Sequence, residues 1–195
     1  MLPYLQPEFK ANPASYFAHL VGHEGENSLL SYLKKEDFAM GLTVDSDTQL
    51  NCFSSFIVKI ALTKKGLENH EKVLEAVFVY TKRLQEVGPQ EWVFAEKQKV
   101  GTIKFNFQEK GEPMRYAIGL AKQMPHFKTP DDMVHLIRHA YVADEFKPEL
   151  LGQIASVLAS PEKALVMLAS KKLPESELPI HEKWYKFNYS LEKFS

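Results

Sequence analysis

The stretch Phe53-Ser-Ser-Phe-Ile-Val-Lys-Ile-Ala-Leu-Thr63 alternates: Phe56, Val58, Ile60 and Leu62 share one side at period two, with Ile57, Lys59 and Ala61 between them. That pattern predicts a strand with one buried face. Just upstream, Phe38 to Val44 predicts a second strand, ended by the turn-rich Asp45-Ser46-Asp47. Two strands so close in sequence, joined by polar residues, pair most simply as antiparallel neighbours.

The flanks read as helix. Upstream, Asn12-Pro13 is a cap followed by proline at the first helical position, and Tyr16, Phe17, Leu20 and Val21 keep helical spacing. Gly22, Gly25 and Glu26-Asn27 interrupt it before a second helix, Ser28 to Lys35, with Leu29, Leu30 and Leu33 on one face. Downstream, Leu67 to Val87 is the clearest helix, with Gly88 to end it and Pro89 to open the next, which carries Trp92, Val93 and Phe94 towards Phe107. Further helices are predicted over Met114 to Met124, from Thr129-Pro130-Asp131-Asp132, and from Pro148 to Leu158. Lys163 to Ala169 predicts a short buried strand, and Trp184, Tyr185, Phe187 and Tyr189 predict that the polar tail docks. The order does not alternate β and α in the doubly wound manner. The fold class is therefore α+β, an antiparallel sheet packed against several helices.

Composition narrows the function classes. The chain has 195 residues, 45% hydrophobic and 25% charged, as a globular domain has, and a formal net charge of −1. That balance argues against nucleic acid and against an anionic membrane surface as partners. A single cysteine, Cys52, excludes an internal disulfide framework and a cysteine-rich metal site. It is expected in a buried strand, and a reducing, cytoplasmic compartment is expected for the chain. No basic, apolar leader and no run of about 20 apolar residues is present, so neither a signal peptide nor a membrane span is expected.

Two histidine pairs at four-residue spacing invite a metal-site reading. His19 and His23 are followed by Glu24, but the inverted motif His-x-x-Glu-His needs its glutamate before the second histidine, where Gly22 stands. His135 and His139 have Arg138 in that place, and a solvated helix face is the expectation there, as it is for Lys97, Lys99 and Lys104. Neither pair has a general base, so no catalytic residue and no metal ligand is assigned. Gly22 and Gly25, with an edge strand after them, could either form a packing turn or admit a peptide by backbone pairing.

The residues also resemble a known family. Asn12-Pro13, His19-Leu-Val-Gly-His-Glu-Gly25 with Ser28-Leu-Leu-Ser31, Leu62-Thr63 with Gly66-Leu67, Tyr80 and Leu84 occur in order and at family-like spacing. Gly88-Pro-Gln-Glu-Trp-Val-Phe94, Phe146-Lys-Pro-Glu-Leu150, Pro161-Glu162, and Glu182-Lys-Trp-Tyr185 with Tyr189 continue the series. Together they resemble the second, non-catalytic domain of the insulysin and nardilysin branch of the pitrilysin-type zinc metallopeptidases. The resemblance implies an enzyme of four related α+β domains closing around a peptide, with zinc held by the first. It implies that residues 1–172 form a non-catalytic domain, entered shortly before its first helix, and that 173–195 connect towards a following domain. It implies an exosite that anchors the leading part of a peptide by strand addition, carried here by His19, Gly22, His23, Gly25, Leu42, Thr43 and Val44. Asn27 stands where the family often has a glycine, and Thr43 and Val44 replace glycines of the anchoring strand. The expected partners are peptide substrates and a catalytic domain in cis or in trans. Zinc is expected in that catalytic domain and no cofactor in this chain, which lacks the motif and is expected to be inactive alone. The alternative is a stand-alone inactive subunit acting as a scaffold.

Overall fold

The alternating segment is a strand. In the computed structural model, which describes residues 2–47 and 52–192, β1 (Ala39–Asp47) and β2 (Ser55–Leu62) form a two-stranded antiparallel sheet. Leu42 lies opposite Ile60 and Val44 opposite Val58, with an irregularity between Ala39 and Gly41. Asp45, Ser46 and Asp47, expected to be a turn, instead continue β1 and face Ile57, Phe56 and Ser55. Pairing with β2 overrides their turn preference, and the diagonal Lys59–Asp45 contact at 2.7 Å fits the same register. Both of those side chains are exposed, so the ion pair itself adds little.

Phe56, Val58, Ile60 and Leu62 do share a half-buried face, while Ile57, Lys59 and Ala61 are exposed. That face packs against α2 (Leu29–Lys35) and α4 (His70–Val87) through Leu29, Leu30, Leu33, Leu42 and Val73. A second core lies between α1 (Pro13–Val21), α5 (Glu91–Asn106) and α8 (Pro148–Leu158), built on Ala14, Tyr16, Phe17, Val93, Leu151 and Ile154. Phe56 and Leu84 touch both cores and join them.

Local chemistry explains the helix boundaries. Asn12 Oδ1 accepts from the Ser15 amide at 3.3 Å and Ser28 Oγ from the Ser31 amide at 3.1 Å, so α1 and α2 begin where the caps are. The expected single helix from Leu67 is divided: α3 (Lys64–Glu68) ends at Asn69, whose φ of −123° and ψ of 35° are not helical. Thr63 Oγ1 caps α3 by accepting from the Gly66 amide at 2.9 Å. Gly66 presses on β1's approach so closely that a Cβ would lie 1.9 Å from the Phe38 carbonyl oxygen. Gly88, at φ 73°, ends α4 as its position suggests.

Beyond α5 the chain is less buried. The helix α6 (Pro113–Gln123) is capped by Glu112, and none of its residues is buried. The helix expected from Thr129 is a single turn, α7 (Pro130–Met133), followed by successive turns to Tyr141. The expected strand over Lys163–Ala169 does not form. Leu165 is 92% and Met167 85% exposed, because no strand edge or core among the described residues lies beside them. In the tail a short hairpin pairs β3 (Ile180–His181) with β4 (Asn188–Tyr189). Trp184, Tyr185 and Phe187 stay exposed there, so the expected docking is not made onto the described residues. Cys52, expected in a buried strand, is exposed at a bend before β2.

Candidate functional site at the α1 bend and the edge of β1

The helix α1 stops at Gly22, whose amide donates to the Ala18 carbonyl at 2.9 Å. The following turn is closed by the Ser28 amide on the Gly25 carbonyl at 3.2 Å. Asn27 has φ 62°, the left-handed region that glycine and asparagine tolerate best. Asparagine therefore fits where a glycine would otherwise be expected. Tyr80 reaches in from α4 and donates its hydroxyl to the Leu20 carbonyl at 3.1 Å, satisfying an oxygen in the last turn of α1. Burial pushes the Tyr80 phenol up, so it remains a donor through the neutral range.

The structure brings the bend and the strand together. A Cβ on Gly22 would lie 3.5 Å from Val44 Cγ2, which makes Val44 the floor beneath the bend. A Cβ on Gly25 would lie 2.5 Å from His23 Nε2, so the His23 ring folds over Gly25. His19 and His23 are both exposed, with ring centroids 6.3 Å apart. On β1 the residues divide by the pleat: Leu42 is buried at 4% exposure, Thr43 faces solvent, and Val44 is half-buried. Leu42 can thus meet a ligand only through its backbone. Among the described residues no further strand pairs with β1, so its second edge carries backbone donors and acceptors with no strand partner.

Lysines shape the electrostatics of the bend. Partial burial and the Lys97 ammonium hold the His19 imidazole below its usual range, with His23 and Lys104 acting the same way and Glu96 opposing. His19 is therefore neutral at pH 7. Lys97, expected on a solvated face, is half-buried and donates to Ser15 Oγ at 2.7 Å. That burial, with Lys104 beside it, holds its ammonium below the usual range. No periodicity in α5 distinguishes this lysine from Lys99; only the crossing of α1 over α5 does. Among the described residues no group of three His, Cys, Asp or Glu side chains converges as a metal site would require.

The second histidine pair is not a solvated helix face. His135 Nδ1 lies 3.4 Å from Asp144 Oδ2, and Arg138 pairs with the other oxygen of the same carboxylate. His139 packs on Phe127 with centroids 4.9 Å apart and on Phe9 at 6.3 Å. The Asp144 and Glu145 amides both donate to the Lys10 carbonyl, at 2.7 and 3.0 Å. These contacts tie the leading segment to the 135–145 turns and so belong to the fold.

Comparison with known proteins shows what the chain is similar to. The family model for the middle or third domain of peptidase M16 matches residues 105–195. Nardilysin from Pongo abelii is 32% identical over 98% of this chain, and human insulin-degrading enzyme is 32% identical over 96% of it. The chain is similar to pitrilysin-type metallopeptidases of the nardilysin and insulysin branch. A crystal structure of pitrilysin shares the fold, with a TM-score of 0.73 over 80% of the chain at 24% identity. The chain spans 16% of that nardilysin and 18% of that insulin-degrading enzyme. The pitrilysin-type α+β fold accounts for a small antiparallel sheet backed by α2 and α4.

Proposed function

We propose that this chain is a non-catalytic, peptide-contacting part of an insulysin- or nardilysin-like metalloendopeptidase. An extended peptide adds to the open edge of β1, its leading end held at the bend by His19, Gly22, His23 and Gly25. Leu42, Thr43 and Val44 contribute backbone donors and acceptors. Hydrolysis depends on a zinc-bearing catalytic domain, in cis or in trans, and the compartment is cytoplasmic. The observation that supports this reading is the juxtaposition of Gly22 with Val44, which sets a close-approach bend beside an edge of β1 that no other strand among the described residues covers. Thr43 points to solvent and does not obstruct the edge itself.

Nuclear magnetic resonance with a short extended peptide tests the reading. Amide shifts at residues 22–25 and 42–44 are expected, with dissociation constants of about 0.1 mM or weaker because little surface is buried. The Gly25→Val variant, which must displace the His23 ring, is expected to abolish them. Shifts confined to residues 130–145, or none at millimolar peptide, would overturn the reading in favour of a scaffold.

A further inference from the structure

Among the described residues, Lys97 is a cation without an anion. Its Nζ is half-buried against Ser15, yet no carboxylate among the described residues pairs with it. Removing an ammonium from water without a counter-charge is costly, and such groups are ordinarily paired. One of its three donors goes to Ser15 Oγ, which leaves two. Because that hydroxyl accepts from the ammonium, its own proton is free to be given to something else. Lys104 lies seven residues along α5, two turns on, and therefore on the same face. His19 stands within the fields of both lysines, of His23 and of a single carboxylate, Glu96. The cluster is thus rich in donors and cationic charge and poor in acceptors. The ligand that matches it is an acceptor-only anion with several lone pairs, which in a peptide is a carboxylate.

We infer that Ser15, His19, Lys97 and Lys104 form a carboxylate-accepting subsite beside the Gly22–Gly25 bend, which selects peptides with an acidic side chain near their leading end. The inference rests on the strand-addition reading above and adds a sequence preference to it. Backbone pairing along β1 is indifferent to side chains; the subsite supplies discrimination that pairing lacks.

The test uses the full chain and two extended peptides of identical length, one with Glu and one with Gln as its second residue. The Glu peptide is expected to bind about fivefold more tightly at low salt, and the difference is expected to shrink as salt is raised. It is also expected to raise the midpoint of the His19 ring titration, which the Gln peptide leaves in place. Lys97→Met keeps the aliphatic stem and is expected to erase the preference without weakening the Gln peptide. Lys97→Arg is expected to keep it. Lys104→Met, at an exposed position outside the α1–α5 contact, is expected to reduce it and guards against a folding defect in the Lys97 variants. Equal affinities, with both peptides shifting residues 22–25 and 42–44, would overturn the subsite and leave the strand-addition reading standing. No shift of those residues by either peptide would overturn both.

Discussion

Two histidines of this chain are held below their usual range by their surroundings, and each reports on a different packing event. His139 is desolvated against Phe127 and Phe9, with His135 and His126 adding their influence. Its Nδ1 lies 2.9 Å from the Leu136 carbonyl. In the unfolded chain His139 takes up a proton near pH 6.5, as an unperturbed histidine does, while the folded protein resists it to lower pH. Stability is therefore full above about 6.5 and falls as pH drops from there towards the lower folded value. Denaturation by urea at about pH 7 and about pH 5 is expected to show a smaller loss in His139→Phe, which keeps the ring contacts, than in the parent protein. His19 with Lys97 is present in both proteins and cancels from the difference. Equal losses would show that His139 is not the titrating group. Nothing in the sequence announces this environment, because Phe9 and Phe127 lie far from His139 along the chain.

At the scale of elements, the β1–β2 hairpin organises one of the two cores. Val58 faces Val44 across the pair, and its side chain lies on the face covered by α2 and α4. Val58→Asp places a carboxylate there among apolar side chains, opposite Val44. The expected cost is about 2–4 kcal/mol, enough to lower the thermal midpoint of circular dichroism by many degrees. A midpoint within a degree or two of the parent would show that this face is wet. The alternation in residues 53–63 is enough to predict the strand and its inner face, and the cap at Asn12 predicts the start of α1. Three of the expectations that fail at this scale do so for identifiable reasons. Asp45-Ser46-Asp47 pairs because β2 offers partners. The helix from Thr129 stops after one turn, and from His135 on the chain is held by contacts to Asp144, Phe9 and Phe127. Lys163–Ala169 stays irregular because an apolar run becomes a buried strand only where a sheet edge awaits it.

For the whole molecule, the distribution of apolar surface is uneven. Phe107, Met114, Met167, Trp184 and Tyr185 are largely exposed, all within the residues that match the family's middle or third domain. Such a surface fits the proposal that this chain is part of a larger peptidase. If the zinc belongs to another domain, as proposed, chelation by EDTA should leave the thermal midpoint of this chain unchanged, and peptidase activity should be absent with or without added zinc. Zinc retained through dialysis at one equivalent, and lost in His19→Ala, would refute this. By itself the sequence determined the strand pair, most helices, the glycine bend and the family resemblance, because these rest on periodicity, capping and ordered local motifs. Only the tertiary structure decided that Val44 lies under Gly22 and that Lys97 is half-buried on Ser15. Those facts come from how α1 crosses β1 and α5, and a crossing between elements distant in sequence leaves no periodic trace in either one.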